Sequence, residues 1–194
     1  NIYTKTHSYS SFAPPRPLNN RVRWFVDGKD YFKSVYESLL NAKKEVFISG
    51  WCFSPYLYLL RPIQTWEDES RLDRVLKKIA DRGVKVYVHL FSGVMFALKF
   101  GGEEHSKYLE SLSPNIKALW HPKSTITTLS HHEKLIIIDQ TISYVGGIDL
   151  AYGRYDFDSH FLFDPVQEEN KGMLFPGNDY QNMRNKPLSC DDPP

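Results

Sequence analysis

His132, Lys134 and Asp139 are the residues whose types and spacing could do chemistry. Together they read H-x-K-x-x-x-x-D, followed by Gly146-Gly147 and Asp149. Seven His, 15 Lys and 13 Asp in 194 residues would produce this spacing by chance about 0.04 times. Residues two apart on an extended strand point the same way, so His132 and Lys134 can address one ligand together. An imidazole can act as nucleophile or general acid. An ammonium beside it can hold an anionic oxygen. Asp139 falls at the far end of the strand, where it could orient an imidazole, its own or one brought in by another segment. Histidine plus lysine without a metal-ligand cluster suits attack on a phosphodiester by histidine. Against this stands the plainer reading, in which two polar residues line a strand mouth and an aspartate starts a turn. His131 alternates away from His132 and should face elsewhere. His89 reads as a satisfied core or edge residue, and His7, His105, His121 and His160 have no visible partner pattern.

These residues need a scaffold. Apolar residues recur at three and four positions from 28 to 43 (Tyr31, Phe32, Val35, Leu39, Leu40), which predicts a helix. Glu45 to Trp51 reads as a buried strand. The pattern then repeats: Leu72, Val75, Leu76 and Ile79 mark a helix from Arg71 to Arg82, stopped by Gly83, and Val84 to Phe91 alternates like a strand. Helix and strand in turn, with short links, predict an α/β fold with a mostly parallel sheet. Residues 94 to 112 read as a helix interrupted at Gly101-Gly102. Ile116 to Trp120 predicts a short strand. Lys134 to Asp139 and Ile142 to Val145 predict two more, joined as a hairpin through Gln140-Thr141. The proline run at 14 to 17 makes residues 1 to 20 a linker or tail. Residues 21 to 150 then form the unit that carries the one H-x-K-x-x-x-x-D motif, and 151 to 194 a loop-rich segment whose end looks truncated.

Length and composition bound the answer. At 194 residues and 22.6 kDa the chain is one domain or half of a larger one. With 41% hydrophobic and 24% charged residues it has the balance of a globular domain. No stretch approaches the ~20 apolar residues of a membrane helix, and Asn1 to Ser11 lack an apolar signal core. Two cysteines, Cys52 and Cys190, are too few for a disulfide framework or zinc site and point to a reducing compartment. A formal charge of +1 gives no pull toward nucleic acid, so no nucleic-acid partner is expected.

Beyond the motif, the chain resembles the phospholipase D superfamily, whose signature is H-x-K-x-x-x-x-D. The run His131-His132-Glu133-Lys134 to Asp139-Gln140, with Gly146-Gly147-Ile148-Asp149-Leu150-Ala151-Tyr152-Gly153-Arg154, is similar to the first motif of eukaryotic phosphatidylcholine-specific enzymes. These are the ones that carry N-terminal PX and PH domains. The flanks agree at Ala13 to Pro17, Trp24 to Val26, Arg71-Leu72-Asp73 and Pro114 to Lys117. The resemblance implies an α/β/α sandwich with a mixed, mostly parallel sheet, here a single copy of a normally duplicated domain. It implies hydrolysis of phosphatidylcholine to phosphatidic acid and choline, or transfer to a primary alcohol, through a phosphohistidine. His132 would be nucleophile or acid–base, Lys134 the phosphate holder and Asp139 the orienting group. Gly146, Gly147 and Asp149 would contribute to substrate binding. No metal or cofactor is needed for the chemistry, and phosphoinositides and small GTPases would act as activators of the full-length enzyme. The place of action would be cytoplasmic, peripheral on the cytosolic face of membranes.

The chain departs from that family in carrying one motif where the full enzyme has two. The second half, from the same full-length chain or a second copy, is therefore an expected partner, and the chain alone is expected to be inactive. Gly50-Trp51-Cys52 also stands where Asp-Trp-Trp is usual, and Tyr155 where Trp is usual. Two other readings compete: a single-motif phosphodiesterase or nuclease completed by homodimerisation, and a non-catalytic fragment that binds lipid or a partner. Trp51, Phe53, Tyr56, Tyr58, Phe96 and Phe100 are candidates for membrane contact or for core.

Overall fold

The protein is described by a computed structural model covering residues 20–63, 65, 67–91, 93–94, 98–99, 101–121 and 131–160. The expectations for residues 1 to 19 and 161 to 194 lie outside the described residues, as do those for Phe96 and Phe100.

The apolar stripes form the helices they predict. Helix α1 (Gly28–Leu40) buries Phe32, Val35 and Leu39. Helix α2 (Leu72–Asp81) buries Leu72, Val75, Leu76, Ile79 and Ala80. Gly83 ends the connection with φ +95°, a conformation that favours a residue without Cβ. Strands β1 (Glu45–Gly50) and β2 (Lys85–Phe91) follow their helices. The interruption expected at Gly101-Gly102 is found there, but the part before it is not helix. It forms two short strands instead, β3 (Gly93–Val94) and β4 (Leu98–Lys99), paired antiparallel. Gly101 has φ +65°, and the His105 ring fills the space its side chain would take. A left-handed residue cannot continue a right-handed helix, so α3 (Gly102–Leu112) starts only after it.

Strands β5 (Ile116–His121), β6 (Leu135–Ile138) and β7 (Ile142–Val145) complete a five-stranded sheet of order β5-β2-β1-β6-β7. The sheet is mixed. β5, β2 and β1 run parallel, whereas β6 pairs antiparallel with both β1 and β7. The β6–β7 hairpin turns through Asp139 and Gln140, both at positive φ (52° and 56°), and Thr141 N–H bonds back to the Ile138 carbonyl. Positive φ at both central residues is what a type I′ hairpin turn requires.

Alternation along the strands divides the sheet into two faces. Val46, Ile48, Val86, Val88, Ile116, Ala118, Ile136 and Ile138 are buried in one core with residues of α1, α2 and α3. Among the described residues the helices therefore form one layer. The other face carries Phe47 stacked on Tyr87 at 4.9 Å, with Leu119, Leu135 and Ile137, around a groove of about 420 Å³. Phe53 and Tyr58, candidates for lipid contact, are core residues, while Tyr56 is exposed. Cys52 is buried; Cys190 lies outside the described residues.

Candidate active site

Three strand ends meet at one edge of the sheet. Ser49 at the end of β1 pairs with Leu135 at the start of β6, which pairs with Val145 at the end of β7. The segments running off these ends are Trp51-Cys52, His131 to Lys134, and Gly146 to Asp149. They are adjacent because β1 sits where the parallel half of the sheet meets the antiparallel half. The ends of parallel strands are a common place for a site in an α/β sheet.

His132 and Lys134 meet around Trp51. The exposed His132 ring lies 4.8 Å from the Trp51 ring, edge to face. The Lys134 Nζ stands 5.3 Å from the centre of the same indole, within cation–π range. The Lys134 side chain is 7% exposed, and its Nζ lies 3.3 Å from Asp149 Oδ2. It also donates to the His132 carbonyl at 3.4 Å. Burying an ammonium is costly unless it is paired, and Asp149 supplies the pair. The other Asp149 oxygen, Oδ1, accepts the N–H groups of Trp51 and Cys52, each at 3.1 Å. Arg154 approaches Oδ2 at 3.8 Å. Lysine, arginine and one carboxylate leave a net positive charge beside an exposed imidazole.

Two of the predicted site residues are engaged by the protein itself. Asp149 is 1% exposed with both oxygens engaged, by Lys134 and by the Trp51-Cys52 backbone. Asp139 does not join the cluster. It accepts backbone N–H bonds from Lys43, Lys44 and Glu45 at 2.7–3.0 Å, tying the β6–β7 turn to the α1–β1 connection. Partial burial pushes its carboxyl up, but these three donors outweigh that and hold it below the usual aspartate range. Its work is at the opposite end of β6, not on an imidazole at the site.

Gly146 and Gly147 are exposed, and an added Cβ would meet nothing within 4 Å at either. Neither is required by local packing, which leaves open backbone at the mouth of the site. Arg154 is a site residue that spacing did not reveal; its signal was only its place at the end of the family-like run. Its segment is held by α1, where Lys29 N–H bonds to the Asp156 carbonyl at 3.1 Å.

On the rear of the same strand mouth, His131 faces away from His132 as alternation predicts. Its Nε2 contacts Glu133 Oε1 at 2.8 Å and Ser49 Oγ at 3.0 Å. Ser49 also donates to Glu133 at 2.9 Å. The bonds from His131 and Ser49 hold the Glu133 carboxyl below its usual range. His89 is held low by burial first and by the neighbouring His131 and His121 second.

The family model described as phospholipase D matches residues 38–186. The chain belongs to the phospholipase D family. It is 40% identical over 192 residues to phospholipase D2 of Bos taurus, a match covering 99% of this chain and 19% of that protein. To phospholipase D zeta 2 of Arabidopsis thaliana it is 39% identical over 184 residues, covering 92% and 17%. To phospholipase D1 of Homo sapiens the figures are 41% over 165 residues, covering 84% and 15%. The chain thus spans about a fifth or less of the length of these phospholipase D relatives.

Proposed function

We propose that this chain supplies one half of a phospholipase D active site, in which His132 acts on the phosphodiester of phosphatidylcholine and Lys134 holds a phosphoryl oxygen. The observation that carries the reading is the exposed His132 beside a buried Lys134 fixed by Asp149. A fixed ammonium is worth more to a developing anionic oxygen than a mobile one, because no reorganisation is needed during reaction. His132 would either attack phosphorus or protonate the leaving choline, and the second half would bring the complementary histidine and lysine. Water or a primary alcohol would then release phosphatidic acid or its ester. Open backbone at Gly146-Gly147 gives the headgroup room to approach. The chemistry calls for no metal or cofactor.

Contact with lipid would be peripheral, since none of the described helices is long and apolar enough to cross a membrane. Phosphoinositides and small GTPases would act on a full-length enzyme, as the family resemblance implies.

The test is choline release from phosphatidylcholine vesicles, and transfer to a primary alcohol, over a concentration series of the chain. We expect no turnover by the chain alone. Activity should appear when a second chain carrying the complementary motif is added, and a His132→Asn chain should not support it. Turnover by the chain alone, rising with the square of its concentration, would instead favour completion of the site by a second copy. No turnover with the complementary half present, from a folded chain, would overturn the reading.

A further inference from the structure

We infer that His89, His131 and Glu133 form a binding site for a divalent transition-metal ion such as zinc, on the rear of the sheet behind the H-x-K-x-x-x-x-D motif. One ring nitrogen of each histidine and one carboxylate oxygen of Glu133 all lie within 4.8 Å of one another. The two imidazoles are 4.7 Å apart between ring centres. Zinc holds such ligands at about 2.0–2.2 Å, which puts ligand atoms about 3.3 Å from each other. Side-chain rotation of an ångström or so closes the difference, and the His131–Glu133 contact at 2.8 Å is already that short. Two imidazoles and one carboxylate suit zinc or a neighbouring first-row ion rather than calcium or magnesium, which prefer oxygen alone.

The surroundings are those of a held site. Ser49 donates to Glu133 and fixes the carboxylate, as outer-shell partners of metal ligands commonly do. The Nδ1 of His131 is buried without a hydrogen-bond partner among the described residues. The His121 ring centre lies 6.4 Å from those of both His89 and His131. Backbone pairing makes the cluster rigid: Ser49 and His89 are register partners on β1 and β2, and His89 pairs with Leu119 on β5. An ion there would replace the proton shared between His131 and Glu133. Because those two residues flank His132, the ion would also anchor the peptide that carries it.

The test is zinc transfer from a chromophoric chelator to the purified 194-residue chain, with visible absorption of the cobalt(II) form as a second readout. One ion per chain is expected. Glu133→Gln and His89→Gln should each weaken binding about 100-fold or more, since even outer-shell changes cost 10–100-fold. Asp156→Asn should leave it unchanged, which separates this site from the Asp27, Asp156 and His160 group. Glu133 is exposed, so its near-isosteric variant reads out the site even if His89→Gln fails to fold. No zinc uptake by a chain that melts cooperatively would overturn the inference. So would uptake indifferent to Glu133→Gln.

Discussion

Lys134 is held on two sides. An exposed lysine spreads over many rotamers, whereas this one is confined between an indole face and a buried carboxylate. Removing the carboxylate strands the charge. Asp149→Asn should destabilise the chain by about 3–5 kcal/mol, the usual cost of orphaning one member of a buried pair. Adding Lys134→Met to that variant should recover much of the loss, since an apolar side chain of similar length needs no partner. Urea unfolding of the two single variants and the double variant measures the coupling, and strictly additive effects would sink the account. The motif residues themselves were legible, because His132 and Lys134 are two apart on extended backbone. Their partner was not. Asp149 lies 15 positions beyond Lys134 and reaches it only across a hairpin, so spacing cannot indicate the pair.

At the scale of elements, hydrophobic periodicity fixes what it should. α1, α2 and the five sheet strands follow from stripes and alternation, because each buries one side against a common core. The short strands Gly93–Val94 and Leu98–Lys99 do not, since they are stabilised by pairing with each other rather than by a stripe or alternation. Asp139 shows the same limit: the motif gives its distance along the chain, but not the three amides waiting in the α1–β1 connection. Packing between elements adds a constraint of its own at Gly28, the first residue of α1. A Cβ there would come within 2.0 Å of the Arg154 carbonyl oxygen. Gly28→Ala should therefore cost about 1–3 kcal/mol as overpacking, and should displace the segment carrying Arg154. A melting temperature equal to that of the parent chain would show that the contact yields freely.

Across the whole molecule, Asp139 joins the antiparallel half of the sheet to the parallel half from the side opposite the site. Its carboxyl is held below the ordinary range in the folded chain, so folding favours the ionised form. The stability it contributes is therefore complete above its unfolded value near 3.8 and is lost as pH falls through the lower folded value. Urea midpoints of the parent and Asp139→Asn should differ at pH 6 and converge as pH falls below 3.8. A gap independent of pH would mean that the carboxylate's charge is irrelevant to the join. The position of β6 in the sheet has a further consequence, for the order of assembly. All three helices and the three parallel strands lie before residue 122, whereas β6 reaches back some 90 positions to pair with β1. Closing so long a loop is slow compared with local pairing. During synthesis the apolar core can thus consolidate before His132 and Lys134 leave the ribosome. The residues proposed to react are added last, to a framework already able to bear a buried charge.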